Sequence, residues 1–110
     1  MPRDTVEIEV LASPAQEIPL EPWQKILLES ADLIEEKGWC QGAPYNSRGE
    51  HCMLGAVSAV TARKYAIIDG REATGRLKRR LGESPALYND TAGRTKRQVL
   101  ATLRAVAKGE

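Results

Sequence analysis

The stretch MLGAVSAV, residues 53–60, constrains this chain more than any other. A helix through it carries Met53, Leu54, Ala56, Val57, Ala59 and Val60 on nearly every side, so its first turns have little polar surface and demand cover from protein. Gly55, Ala56 and Ala59 would let a neighbour approach closely. The helix is expected to begin near Glu50 or Cys52, to run toward Tyr65, and to form the centre of the core. A chain of 110 residues has room for one such core and one domain. With 42% hydrophobic residues, 28% charged and no phenylalanine, that core must be Leu, Ile, Val and Ala around a few large rings.

The cover is legible on either side. Pro22 suits the opening turn of a helix, with Glu21 beside the positive end of its dipole. Trp23, Ile26, Leu27, Ala31 and Ile34 then make one apolar stripe before Gly38 stops the helix. Ala73, Leu77 and Leu81 predict a narrower-striped helix over about 70–81, with Gly75 a weak point. Residues 82–94, holding Gly82, Pro85, Asn89, Asp90 and Gly93, read as a loop. Thr95 with Gln98 forms a capping-box pattern ahead of Val99, Leu100, Leu103, Val106 and Ala107. The expected fold is therefore mainly α: a compact single domain of about four helices over 22–110. Residues 1–21 read as an N-terminal arm and proline-containing linker. Within it Val6, Ile8 and Val10 alternate with Thr5, Glu7 and Glu9, the period of a short strand that has nothing in this chain to pair with. It reads as an edge for a protein partner or a second copy, or as a disordered arm. The N-terminus lacks the basic start and apolar run of a secretory signal, and no stretch approaches the roughly 20 apolar residues of a membrane span. A cytoplasmic protein with no membrane partner is expected.

The loop GWCQGAPYNSRGEHC, residues 38–52, gathers both cysteines and the only histidine. Cys52 at a helix N-terminus would feel a dipole that favours thiolate, and His51 or Asp90 could assist it as base. Against this, neighbouring helical residues point about 100° apart, and a small apolar cysteine also suits the first turn of a buried helix. Cys40, His51 and Cys52 supply only three zinc ligands, two of them consecutive, so neither metal nor cofactor is expected. Cys40 and Cys52 would be thiols in a reducing compartment. In an oxidising one a disulfide closing this loop would add about 3 kcal/mol. Trp39, Gln41, Asn89 and Asp90 lie in loops where they could either bind exposed backbone or grip a small polar ligand.

Charge is unevenly distributed. Residues 1–37 carry nine acidic and three basic side chains, and residues 38–110 carry six and thirteen. The halves therefore attract one another, or the second attracts an anion. Arg71, Arg76, Lys78, Arg79, Arg80, Arg94, Lys96 and Arg97 are the candidates for phosphate contacts with nucleic acid. No aromatic residue interleaves them, and solvated helix surface is the favoured reading.

The set G-W-C-Q-G at 38–42, C-x-x-G-A at 52–56, Y-N-D at 88–90 and G-x-T at 93–95, followed by V-L-x-x-L-R at 99–104, resembles a family of small bacterial and phage-encoded proteins of unknown function. The resemblance spans approximately Trp23 to Ala107, and members often carry tryptophan where Tyr88 stands. It implies that Trp39, Gln41, Gly42, Cys52, Gly55, Asn89 and Asp90 belong to one framework. It implies no mechanism. Because no complete catalytic set emerges, a non-catalytic binding or regulatory module is expected. The alternatives are an enzyme using Cys52 and a nucleic-acid binder using residues 71–97.

Overall fold

A computed structural model describes residues 19–110. They form five helices: α1 (Pro22–Lys37), α2 (Met53–Lys64), α3 (Ile67–Leu81), α4 (Pro85–Asp90) and α5 (Lys96–Ala107). The mainly helical expectation holds, with one correction in number. The segment read as a loop contains α4, started by Ser84, whose hydroxyl accepts a hydrogen bond from Leu87 N, and by Pro85 in the first turn. This serine–proline start is an ordinary helix signal that the surrounding glycines and Asn-Asp pair obscured. A second correction lengthens α3, which begins at Ile67 rather than Gly70. The alternating Thr5–Leu11 segment lies outside the described residues.

The apolar stripes meet as expected. Ile26, Leu27, Ala31, Leu33 and Ile34 of α1 join Met53, Ala56, Val57 and Val60 of α2, Ala73 and Leu77 of α3, and Val99, Leu100, Leu103, Val106 and Ala107 of α5 in one core. α1 packs on α2, α3 and α5, while α4 closes against α2 and α3. Gln24 at the start of α1 donates to the Ala107 carbonyl at the end of α5, 2.8 Å away. Glu35, near the other end of α1, accepts from Arg104 at 2.7 Å and lies beside Lys96, so the two helices run in opposite directions. The Arg104 hydrogen bond and charge hold the Glu35 carboxyl below the usual range. Lys64 likewise sits 3.5 Å from Glu29. The charge split of the sequence thus appears partly as pairs between acidic α1 and its basic neighbours.

Gly75 lies mid-helix in α3 at an ordinary helical φ, and a Cβ there would meet only the tip of Arg79, at 3.7 Å. Alanine loses less backbone freedom than glycine on folding. Gly75→Ala is expected to stabilise the fold by about 1 kcal/mol, a rise of roughly 4–8 °C in melting temperature by calorimetry.

Tyr65, just past α2, donates from its hydroxyl to Glu29 Oε2 at 2.8 Å. Desolvation and then this carboxylate push its phenol up to about 12, from an ordinary value of 10.0. The unfolded chain therefore releases the proton first, and stability present below pH ~10 is lost as pH rises toward ~12. Urea denaturation at stepped pH should show that fall in the parent protein and a smaller one in Tyr65→Phe.

Candidate functional site

The loop between α1 and α2 is closed on itself before it meets anything else. Gly38, at φ +109°, ends α1 in a conformation that disfavours other residues. The chain returns so that His51 N donates to the Gly38 carbonyl (3.0 Å), Cys40 N to the His51 carbonyl (3.1 Å), and Cys52 N to the Pro44 carbonyl (3.0 Å). His51 thereby forms isolated bridges with Trp39 and Tyr45. Asn46 builds the inner turn, its Oδ1 accepting from Arg48 N and Glu50 N.

α4 clamps this loop through one side chain. Asn89 is completely buried. Its Oδ1 accepts from Trp39 Nε1 (2.6 Å) and from Met53 N, the first residue of α2 (2.9 Å). Its Nδ2 donates to the Cys40 carbonyl (3.0 Å) and to Asp90 Oδ1 (2.9 Å). Four bonds exhaust the capacity of the amide. Gln41 Nε2 reaches the Asn89 and Thr91 carbonyls at 2.9 and 3.2 Å, and Gly42 N donates to Asp90 Oδ1 at 3.1 Å. The four residues that sequence reasoning offered as ligand contacts are thus brought together, bonded chiefly to one another and to backbone.

Cys52 caps α2, its sulfur accepting from Gly55 N at 3.2 Å, and is 5% exposed. Cys40 is also a buried free thiol, within 3.5 Å of the Ala43 and Glu50 carbonyls. Burial, followed by the nearby Cys52, Glu50 and Asp90, raises its pKa and keeps it protonated. Among the described residues no hydrogen bond joins His51 to Cys52 or Asp90, and His51 Nδ1 is buried without a partner. Cys52 and Asp90 do line a common cavity of about 290 Å³, walled by Pro44, Leu54, Ser58 and Ala86. Among the described residues no three His, Cys, Asp or Glu side chains gather as a metal site, and no helix is long and apolar enough to cross a membrane. A serine at position 52 keeps an acceptor for Gly55 N, whereas alanine removes it. Urea denaturation should place Cys52→Ser close to the parent and Cys52→Ala about 1 kcal/mol below it.

The basic candidates are dispersed. Arg76 stacks over Trp23 at 4.1 Å and pairs with Glu72 at 2.6 Å, which holds that carboxyl below its usual range. Arg79 lies 3.8 Å from the same Glu72, and Arg80 donates to the Glu110 carbonyl. Arg94 covers the Tyr88 ring at 3.6 Å and donates to the Tyr88 carbonyl. Lys96 and Arg97 flank a depression beside Glu35, while Arg71 and Lys78 edge a groove between α2 and α3. The Arg76–Trp23 stack was missed from sequence because it joins positions 53 apart, and the Arg94–Tyr88 stack because it forms across the turn that follows α4.

Fold and site together define a small helical domain in which a folded-back loop is locked to a short helix by a saturated asparagine. The chain belongs to a family of unknown function (DUF6197), whose model matches residues 19–109, the range that contains all the motifs from Gly38 to Arg104. No curated protein and no solved structure matches it.

Proposed function

We propose that this protein is a non-catalytic binding or regulatory module, an accessory protein of a bacterial or phage-infected cytoplasm. The observation that carries the reading is the consumption of the polar cluster: Trp39 Nε1, the Gln41 amide N–H and both ends of the Asn89 amide are spent on holding loop to helix. One side of α2 stays open, where the 290 Å³ cavity and a groove of about 520 Å³ against α3 share Ser58. Ile67, 70% exposed, lines that groove. Two buried, unjoined thiols are at home in a reducing compartment.

The shared cavity of Cys52 and Asp90 favours the second reading, a cysteine-dependent enzyme for a small polar substrate. Parent protein, Cys52→Ser and Cys52→Ala incubated with an activated ester and with a small disulfide separate the two. The module reading expects all three at the background rate. Turnover present in the parent and lost in both folded variants would replace it with the enzyme.

A further inference from the structure

On the premise that the protein is a binding module, we propose that the α2–α3 groove receives an acidic amphipathic helix of a partner protein, with carboxylates at positions i and i+7. Three features of the groove point to this occupant. Its walls are made of small residues, Ala62 from α2 with Thr74 and Gly75 from α3, so a helix backbone can come close. Ile67 stands at one end as an unburied apolar anchor. Arg71 and Lys78 edge the groove, and among the described residues neither forms an ion pair or side-chain hydrogen bond. Every other cation of α3 has such a partner: Arg76 and Arg79 have Glu72, and Arg80 has the Glu110 carbonyl.

Spacing selects the partner's conformation. Arg71 and Lys78 are seven residues apart on one helix face, about 10.5 Å along its axis. A helix laid alongside α3 matches that distance with acidic residues at i and i+7, and its i+3 and i+4 residues fill the groove between them. An extended segment places same-side carboxylates about 7 or about 13 Å apart and misses the pair. This disfavours the chain's own Glu7 and Glu9, two residues apart in an alternating sequence. Phosphates of a nucleic acid would gain little from small apolar walls.

The probe is a fluorescein-labelled 15-residue alanine-based helical peptide with Glu at positions 4 and 11 and Leu at 7 and 8, titrated into the full chain by fluorescence anisotropy. Saturable binding is expected, weakening as salt rises from about 0.1 to about 1 M while the screening length falls from ~10 to ~3 Å. Arg71→Glu/Lys78→Glu should reduce affinity about tenfold or more and bind the peptide carrying Lys at 4 and 11 instead. Ala62→Trp, which fills the groove without changing charge, should also block binding. Absence of binding to the parent, or binding indifferent to both variants, overturns the proposal. Tighter competition by the peptide DTVEIEVL, residues 4–11, or by a short single-stranded DNA also overturns it, assigning the groove to the arm or to phosphates. None of these failures produces Cys52-dependent turnover, so the module reading is judged separately.

Discussion

Asn89→Ala is expected to lower the stability of this protein by about 4 kcal/mol, enough to leave a marginal domain partly unfolded at 37 °C. The reason is the number of groups that one amide satisfies. Its removal strands Trp39 Nε1, Met53 N and the Cys40 carbonyl, and each buried orphan costs roughly 1–3 kcal/mol. Asp90 also loses a donor. Asn89→Asp discriminates the bonds from the volume. It retains acceptors for Trp39 and Met53 but sets a carboxylate oxygen against the Cys40 carbonyl and Asp90. Burial and the neighbouring carboxylate raise the pKa of such a group, so the unfolded state ionises first and stability falls as pH climbs above about 4. Urea denaturation followed by tryptophan fluorescence measures both effects. An Asn89→Ala protein as stable as the parent would show that the clamp between α4 and the loop holds nothing.

Gly55→Ala is expected to cost about 3 kcal/mol or more, although alanine is the better helix former. A Cβ at Gly55 would lie 2.0 Å from the Pro44 carbonyl oxygen, with Pro44 C and Cα at 2.6 and 2.8 Å. These are backbone atoms of a loop sewn together by hydrogen bonds, so relief requires moving the segment by about an ångström. The moving oxygen is also the acceptor for Cys52 N, at 3.0 Å. The comparison with Gly75→Ala isolates the cause. Both exchanges gain the same local preference, so opposite signs of stability change by calorimetry measure the tertiary approach at position 55. If both variants gain stability, the loop does not press on α2 as described.

Much of the fold was legible because its signals are local. The stripe Ile26, Leu27, Ala31 and Ile34 and the Thr95–Gln98 cap each depend on residues within one or two turns, and each occupies its expected role. The apolar run at 53–60 forms its helix, but α1 rather than α2 takes the centre and one side of α2 stays open. α4 escaped because six residues hold no repeating stripe to read, leaving only Ser84 and Pro85 as signals. The framework was legible as a set of residue types. Its bonding was not, because Asn89 meets partners 36 to 50 positions away. The basic residues of α3 show both cases: Arg76 and Arg79 pair with Glu72 on the same helix, a local spacing, whereas the Trp23 ring under Arg76 and the Glu110 carbonyl at Arg80 come from distant segments.

Sequence by itself determined that this chain is mainly helical, where four of its five helices lie, and which faces those helices bury. Those properties follow from periodicity and capping, which act over a few residues. Only the tertiary structure decided that the loop at 38–52 is clamped rather than open, that Gly55 faces a backbone carbonyl, and that Arg71 and Lys78 edge a groove between α2 and α3. Each of these results from hydrogen bonds, excluded volume or charge acting across space between segments whose separation along the chain carries no trace of their proximity.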